Sequence, residues 1–375
     1  MNSALPTLAS AAGRLLNVSF PALAAVCALP ILTPGSVSAQ DAAPPKADPQ
    51  MQAVLDKLAL LGGKPIESLS PEEARKQPTP ADAVKALMKD QGKEGPEKVD
   101  DVDDIKLKLS TGDVKGRVYK PAGDGPFPVI LYIHGGGWVI ADLDTYDATP
   151  RALANATGAV VISTHYRQAP EYKFPAALED TFGAYVWTLG NAHRWNANTK
   201  KVAIVGESAG GNMAAAICMM AKDKGVQAPV HQVLVYPVAD TGMDTPSYLE
   251  NADAKPLNAP MMKWFAGHTF GKPEDAQNPL VALLKAKSFK GLPSATIITA
   301  QIDPLRSEGE ALAKRMTADG VQVTYQNYDG VAHEFFGMAS VVDKAKEAQG
   351  LVATNLKAAF AATPEGGAPA KPAAD

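Results

Sequence analysis

The feature that most constrains the fold of this chain is a series of short apolar runs that recur between helical stretches. The runs are rich in β-branched residues and lack a strict alternation of apolar and polar positions. Such runs suit strands buried on both faces of a parallel sheet, because helices cover both faces of such a sheet. They are Val129–Ile133, Ala159–Ser163, Val202–Val205, Gln232–Tyr236, Thr296–Ala300 and Val321–Tyr325.

Helical segments separate these runs, and an antiparallel hairpin precedes them. The hairpin joins Ile105–Leu109 to Val114–Tyr119 through the turn at Thr111–Asp113. The sequence therefore predicts an α/β fold of about eight strands, two antiparallel at the start and the rest mostly parallel, with helices on both sides. The predicted helices are Tyr146–Thr157, Pro175–Leu189, Ala209–Lys224, Ser307–Asp319 and Asp343–Phe360.

Two helical regions interrupt the alternation within the predicted α/β unit. Residues 51–99 precede the first strand, and residues 241–290 form an insertion in the main domain, which spans residues 100–360. Ligands of open α/β sheets bind beyond the carboxyl ends of the strands, where inserted segments form a lid. We therefore expect both regions to contribute to a helical cap over a binding site.

The two ends of the chain have compositions of their own. Arg14 is the only charged residue in the first forty, an apolar stretch runs from Phe20 to Leu32, and a small-x-small triplet ends at Ala39. This pattern predicts a signal peptide over residues 1–39 and export to the periplasm or the medium. Residues 40–50 are rich in Ala and Pro and are predicted to form a linker. Residues 361–375 are rich in Pro, Gly and Ala and are predicted to form a disordered tail.

Composition excludes several partners. The 375 residues carry a formal net charge of −4, which gives no general electrostatic reason to bind nucleic acid or an anionic membrane. No apolar run after the signal peptide is long enough to span a bilayer, so no stable membrane insertion is expected. Cys218 would be the one remaining cysteine, and its place in an Ala- and Met-rich helix indicates a small core residue.

The segment Gly206–Gly210 has the pattern G-x-S-x-G between a strand and a helix. A sharp strand-to-helix turn of this kind holds its serine, here Ser208, in a strained backbone conformation. Glycines are needed at both ends of the motif because side chains there would collide with neighbouring backbone. The helix N-terminus that follows favours negative charge developing beside Ser208. The segment predicts a nucleophilic serine.

A second glycine-rich turn, from His134 to Trp138, follows the first buried run. Folding three successive glycines into one conformation costs backbone entropy, so we expect their lack of side chains to serve a function. In acyl transfer, bare N–H groups around the substrate oxygen stabilise its negative charge in the tetrahedral intermediate. A phosphate-binding loop is excluded because neither G-x-G-x-x-G nor the P-loop pattern is present. We expect His134 to hold this loop by a hydrogen bond.

A general base and a carboxylate that orients it follow in the order typical of serine hydrolases. His333 lies after the last predicted strand, whereas most other histidines lie within or beside strands or helices. Asp303 leaves the preceding strand, and Pro304 turns the chain there. An imidazole on a loop over the carboxyl ends of the strands can take the proton of Ser208, and Asp303 would fix its tautomer. The order Ser208, Asp303, His333 is that of α/β-hydrolases.

Together these motifs resemble those of the hormone-sensitive-lipase-like bacterial esterases, also called family IV esterases. The resemblance covers residues 51–360, most of the chain after the predicted signal peptide. Two departures are Glu207, where many members carry Asp or Thr, and the signal peptide itself. The motifs are His134-Gly-Gly-Gly-Trp138, Gly206-Glu-Ser-Ala-Gly210-Gly211-Asn212, Asp303-Pro-Leu305, His333-x-Phe335, Tyr166-Arg167-x-Ala169-Pro170-Glu171 and Tyr236-Pro237.

The resemblance implies an α/β-hydrolase fold, a helical cap and a possible homodimer. It implies Ser208 as nucleophile, His333 as general base and Asp303 as orienting carboxylate. The oxyanion hole would be formed by backbone N–H groups of the glycine loop, chiefly the second and third glycines, and of the residue after the nucleophile. These residues are Gly135, Gly136, Gly137 and Ala209.

The function expected from these residues is hydrolysis of small, short-chain acyl esters by a serine carboxylesterase. No cofactor and no metal are expected, because the sequence has no zinc-type Cys/His spacing and no H-E-x-x-H. A lipase, a lactonase and a polyester or amide hydrolase with the same triad stay open as alternatives. A non-catalytic ligand-binding relative is disfavoured because such relatives lose the histidine, whereas His333 is present.

Overall fold

The structure, a computed structural model, describes residues 45–93 and 95–362. The predicted signal peptide, residues 40–44 of the predicted linker and residues 363–375 of the predicted tail lie outside the described residues. The rest of the predicted linker is partly helical, because the first helix begins at Pro49 and Asp48 caps it by accepting a hydrogen bond from the N–H of Met51.

Eight strands form one sheet in the order β1-β2-β4-β3-β5-β6-β7-β8. Among them β2 alone runs opposite to the rest, because it is antiparallel to both β1 and β4 while all other pairs are parallel. The predicted eight-stranded, mostly parallel sheet is confirmed. The strands are β1 (Asp101–Leu109), β2 (Gly112–Lys120), β3 (Phe127–Ile133), β4 (Val160–Thr164), β5 (Ala197–Glu207), β6 (Gln232–Val235), β7 (Ala295–Ile302) and β8 (Val323–Ala332).

The helices lie close to the predicted positions, and the longer ones match the predicted bounds within a few residues. Each of the five helices predicted after the hairpin is present. In chain order the helices are α1 (Pro49–Leu60), α2 (Pro71–Ala74), α3 (Pro80–Asp90), α4 (Ala148–Thr157), α5 (Ala176–Asn191), α6 (Ala209–Lys224), α7 (Pro246–Glu250), α8 (Ala259–Thr269), α9 (Arg306–Ala318) and α10 (Asp343–Ala361).

Alternate residues of the central strand β3 belong to two separate hydrophobic clusters, one on each face of the sheet. Val129, Leu131 and Ile133 pack in the cluster that includes α5, α6 and α9. Ile130 and Tyr132 pack in the other cluster, with α1, α3, α4 and α10. Since successive side chains of a strand point to opposite faces, the sheet is the middle of three layers. Both faces are covered, which explains the continuous apolar runs in the sequence.

The last strand is longer than the sequence predicted, running over Val323–Ala332 rather than Val321–Tyr325. Asp329 and Gly330, which follow the predicted end of the strand, therefore lie within it. The expectation was wrong because β8 is an edge strand that pairs only with β7, so polar residues extend it where an apolar run has ended. His333 follows the strand directly.

The turn from β5 into α6 brings backbone into contact where a side chain would not fit. A Cβ atom added at Gly206 would lie 2.1 Å from the carbonyl oxygen of Gly210, and one added at Gly210 would lie 2.1 Å from that of Ile133. Contacts with backbone this short cannot be relieved by rotating a side chain. The two glycines of the motif are therefore required by packing, as the sequence predicted.

Gly206→Ala should lower the free energy of unfolding by about 3 kcal/mol or more, because the new methyl group meets fixed backbone. Gly190→Ala is the matched control, since Gly190 lies in α5 with no atom within 4 Å of an added Cβ. The control should stabilise the protein by up to ~1 kcal/mol. Urea unfolding followed by circular dichroism measures both values, and equal stability of the two variants would contradict this account of the turn.

Candidate active site

Ser208 lies in the turn between β5 and α6 with backbone angles of φ 56° and ψ −119°. A residue other than glycine reaches positive φ only at an energetic cost, so the surrounding structure must hold it there. The N–H of Ser208 donates to the carbonyl of Val235 at 2.9 Å. This bond to the neighbouring strand β6 fixes the turn, and the strained serine that the sequence predicted is present.

The three residues predicted to form a triad meet at the carboxyl ends of β5, β7 and β8. Nε2 of His333 lies 3.0 Å from Oγ of Ser208, and Nδ1 of His333 lies 2.7 Å from Oδ2 of Asp303. A carboxylate can only accept, so Nδ1 carries the proton and Nε2 is free to accept the hydroxyl proton of Ser208. This chain of hydrogen bonds is the geometry that activates a serine hydroxyl.

Asp303 is held by its own turn and by the inserted segment. Its Oδ1 accepts a hydrogen bond of 2.9 Å from the N–H of Leu305, and its side chain is fully buried. Ser247 of α7 donates to the carbonyl of Pro304 at 2.5 Å, behind the same turn. With one carboxylate oxygen held by the backbone, the other faces His333.

Two opposing effects act on the imidazole of His333. Burial alone would lower the pKa of His333, but the charge of Asp303 and its hydrogen bond outweigh burial and raise the pKa. The carboxylates of Glu334 and Glu207 shift it in the same upward direction. The site therefore favours the imidazolium, the state that forms once the proton of Ser208 has been transferred.

The glycine loop lies beside Ser208 with its second and third glycines on the cavity wall. No described residue accepts a hydrogen bond from the N–H of Gly136 or Gly137. The carbonyl of Gly135 accepts hydrogen bonds from the hydroxyl of Tyr166 at 2.8 Å and from Nδ1 of His134 at 2.9 Å. Since the C=O and N–H of a trans peptide point in opposite directions, these bonds turn the N–H of Gly136 away from His134.

The other predicted oxyanion residues have distinct positions. Ala209 is buried at the first position of α6, where helical N–H groups lack intrahelical partners. Gly135, at the start of the loop, is tightly packed, because an added Cβ would lie 2.4 Å from the Tyr146 hydroxyl. Its carbonyl is a fixed acceptor. The structure thus brings Gly136, Gly137 and Ala209 around Ser208, with Gly135 supporting the loop.

A side chain of the N-terminal region is bonded to the segment that directly follows the glycine loop. Arg75, next to α2, donates to the carbonyls of Val139 and Ala169 at 2.8 Å each and forms an ion pair with Glu171 at 2.7 Å. The indole N–H of Trp264 in α8 donates to the carbonyl of Leu69 at 3.0 Å. The two regions expected to form the cap are therefore bonded to each other, and Arg75 bonds the N-terminal region to Val139, next to the glycine loop.

A cavity of about 680 Å³ opens over Ser208 and His333. Both apolar and charged side chains line it. The larger apolar side chains are Ile105, Ile140, Leu143, Val238, Leu257, Met261, Met262 and Phe265. The charged side chains are Arg75, Asp104, Lys106, Lys115, Arg117, Asp142, Asp144 and Glu334.

Comparison with known proteins identifies the family of this chain. The family model described as an alpha/beta hydrolase fold matches residues 130–337, more than half of the chain. This chain is a hormone-sensitive-lipase-like esterase of the α/β-hydrolase fold. The predicted family, fold and enzyme class, a carboxylic ester hydrolase, are confirmed.

Curated relatives and solved structures of esterases align over most of the chain. Esterase LipI of Mycobacterium tuberculosis is 37% identical over 264 residues, covering 68% of this chain and 81% of the relative. Ethyl acetate hydrolase of Pseudomonas putida is 31% identical over 298 residues, covering 78% of this chain and 92% of the relative. The structure of the hyperthermophilic esterase of Pyrobaculum calidifontis has a TM-score of 0.76 at 35% identity and covers 84% of this chain and 100% of its own.

Two glutamates lie beside the triad of this esterase, Glu207 buried and Glu334 half-buried. Glu207 accepts hydrogen bonds from the hydroxyls of Tyr132, at 2.5 Å, and Tyr236. Glu334 accepts one from Tyr146 at 2.6 Å. Burial, aided by the charge of Glu334, raises the pKa of Glu207 to about 7. Glu207 was noted in the sequence only as a departure from the family pattern, and no role was predicted for Glu334, although each is adjacent to a predicted catalytic residue.

Two further residues that sequence analysis missed support the glycine loop of the esterase. Nδ1 of His134 carries the proton when it donates to the carbonyl of Gly135, which leaves Nε2 of His134 as an acceptor. Nδ1 of His165 lies 2.9 Å from this Nε2 and donates to it. Tyr166 stacks on His134 with ring centroids 4.4 Å apart. Tyr166 belonged to a recognised motif, but no pattern in the sequence indicated what it contacts.

Other expectations concern metals, membranes and Cys218. Within residues 45–93 and 95–362, no three His, Cys, Asp or Glu side chains are grouped as metal ligands would be. No helix described there combines the length and apolar character needed to cross a bilayer. Cys218 is fully buried in α6 and is a core residue, as predicted.

The pKa of Glu207 gives a prediction for stability. A carboxyl whose pKa is raised from 4.5 to about 7 by folding makes the protein less stable as pH rises through that range. The glutamine side chain of the Glu207→Gln variant is neutral at every pH and can form hydrogen bonds with both tyrosines. The stability of this variant relative to the unchanged protein should therefore increase by on the order of 2 kcal/mol between about pH 5 and about pH 8.

Thermal unfolding at the two pH values measures this difference. Glu347→Gln, at an exposed position on α10, is the matched control and should show no such trend. A Glu207→Gln variant that loses stability relative to the unchanged protein as pH rises would contradict the burial of a raised-pKa carboxyl at this position.

Proposed function

We propose that this esterase hydrolyses short-chain acyl esters through an acyl-serine intermediate formed on Ser208. The observation that carries the proposal is the continuous hydrogen-bonded chain from Ser208 through His333 to Asp303, at one end of a cavity whose wall presents backbone N–H groups. A nucleophile, its base, the carboxylate that orients the base and oxyanion donors are the parts that acyl transfer needs.

In the first half of the proposed reaction, Oγ of Ser208 attacks the ester carbonyl carbon while Nε2 of His333 takes the hydroxyl proton. The carbonyl oxygen becomes negative and is stabilised by the N–H groups of Gly136, Gly137 and Ala209. Asp303 stabilises the imidazolium through Nδ1. The carbon–oxygen bond to the alcohol then breaks, and the alcohol leaves with the proton from Nε2.

In the second half, water attacks the acyl carbon and Nε2 of His333 takes one of its protons. The second tetrahedral intermediate uses the same oxyanion donors. When it collapses, the bond to Oγ of Ser208 breaks, Oγ recovers the proton from Nε2, and the carboxylic acid is released. No group other than the chain's own residues and water takes part in this sequence.

Two observations support a short acyl group. Charged side chains such as Lys115 and Arg117 share the cavity wall with apolar ones, so a long alkyl chain would have to lie against charged groups. One relative, which aligns with 78% of this chain, is named ethyl acetate hydrolase, and this name denotes an acetyl ester as substrate. A lactone, polyester or amide could enter the same site, and substrate profiling distinguishes these.

We also propose that residues 1–39 are removed on export, so that the enzyme acts in the periplasm or the medium. The support is the apolar stretch of the sequence with its single charge at Arg14 and its small-x-small triplet at Ala39. N-terminal sequencing of the protein recovered outside the cytoplasm should begin at Gln40. The homodimer implied by the family resemblance stays a prediction, which light scattering of the purified enzyme tests.

Ser208→Ala should lower the turnover of p-nitrophenyl butyrate by at least about 10⁴-fold, because the nucleophile is gone while the fold is kept. Ser110→Ala is the matched control, since Ser110 is an exposed residue of the β1–β2 turn, and it should leave turnover unchanged. Persistent activity of a folded Ser208→Ala variant would refute Ser208 as nucleophile and leave a non-triad mechanism.

The acyl-chain profile of the purified enzyme should fall steeply with length. We expect kcat/KM for p-nitrophenyl acetate and butyrate to exceed that for the palmitate ester by at least about tenfold, because extra methylenes meet charged side chains. Steady-state kinetics on a series of p-nitrophenyl esters in detergent-free buffer measure this ratio. A maximum at long chains would instead favour the lipase alternative.

A further inference from the structure

Glu334, directly after the general base, has a backbone conformation that glycine adopts at least cost. Its φ is 72°, in the left-handed region. Glycine at this position would relieve the strain, yet the chain places a long acidic side chain here. Strained residues that the surrounding structure maintains are concentrated at functional sites, so the carboxylate itself needs an explanation.

The carboxylate of Glu334 extends into the cavity beside the reacting atoms. Its Oε1 lies 3.9 Å from Nε2 of His333, the same nitrogen that contacts Oγ of Ser208 at 3.0 Å. Glu334 lines the cavity together with both of these residues. Oε1 accepts the hydroxyl of Tyr146, whereas no donor from the described residues reaches Oε2. The carboxylate is therefore anchored at one oxygen and open to the cavity.

The 3.9 Å separation between Oε1 and Nε2 suits one small molecule bonded to both atoms. A water oxygen at hydrogen-bond distance of each, about 2.8 Å, forms a closed triangle with them. In the acyl-enzyme, Oγ of Ser208 is esterified and no longer donates to Nε2, so Nε2 is free to accept from water. Water has two protons, and Nε2 can accept only one of them.

We propose that Glu334 is a further catalytic residue, whose carboxylate binds the hydrolytic water together with His333 during release of the acyl group. This inference rests on the acyl-serine intermediate of the proposed function. The water oxygen bonds to the acyl carbon, one proton moves to Nε2, and the other stays on the oxygen while hydrogen-bonded to Glu334. The bond to Oγ then breaks, Oγ takes the proton from Nε2, and the free acid leaves.

Methanol separates this role from a general effect of charge on His333. Methanol has one hydroxyl proton, which it donates to Nε2, and a methyl group in place of the second proton. Attack by methanol therefore gains nothing from Glu334, whereas attack by water does. If Glu334 acted only by raising the pKa of His333, both nucleophiles would be slowed to the same extent when the side chain is removed.

The test uses Glu334→Gly, which removes the carboxylate and relieves the positive φ. Asn196→Gly is the matched control, because Asn196 has a φ of 50° and does not line the cavity around Ser208. Stopped-flow release of p-nitrophenol from p-nitrophenyl butyrate gives the acylation rate from the burst and the deacylation rate from the steady state. Product analysis in water–methanol mixtures gives the ratio of methyl butyrate to butyrate.

For Glu334→Gly we expect deacylation by water to slow by about 10- to 100-fold, the effect of losing a hydrogen bond to a charged group. Acylation should stay within a few fold, and the methanolysis-to-hydrolysis ratio should rise by about tenfold or more. Asn196→Gly should change neither quantity. Glu334→Gln, a neutral acceptor, should give an intermediate deacylation rate.

An unchanged deacylation rate in Glu334→Gly, or a slower one with an unchanged product ratio, would overturn the assignment of Glu334. Failure of the proposed function gives a different result. In that case the unmodified enzyme forms no methyl butyrate, and Ser208→Ala keeps its turnover. The two failures are therefore distinguishable within one set of measurements.

Discussion

The close contact between the end of β5 and the start of α6 is the constraint on which the site depends. At Gly206 and Gly210 backbone meets backbone with no room for a side chain, and Gly210 also packs against the carbonyl of Ile133 at the end of β3. The same contact therefore holds Ser208 at positive φ and places it beside the loop that follows β3. A substitution that separated these two strand ends would lose the nucleophile and the oxyanion donors together.

Sheet order supplies the remaining groups. Because β7 and β8 are parallel neighbours, the residues that follow them, Asp303 and His333, leave the sheet at the same edge as Ser208. Hydrogen bonds of 2.7 and 3.0 Å then join side chains that are distant in the sequence. The inserted segment stabilises this arrangement through Ser247, and Arg75 of the N-terminal region holds Val139, next to the glycine loop.

The sequence predicted the sheet, the longer helices and the triad because each has a local signal: apolar runs, turn glycines, and residues directly after strands. It did not predict Glu334 or His165, whose roles depend on a positive φ and on contacts with residues far along the chain. The end of β8 was misjudged for a related reason, since an edge strand needs no continuous apolar run. Packing of strand ends against each other, which no single segment encodes, determines these features.

The proposed reaction depends on a covalent acyl group carried by Ser208. The most direct measurement is rapid acid quenching of the enzyme during the burst with p-nitrophenyl butyrate, followed by proteolysis and peptide mass spectrometry. We predict the mass of one butyryl group on the peptide that contains Ser208, with fragmentation locating it on that serine. A butyryl group on another residue, or full turnover with no acylated peptide at any quench time, would contradict it.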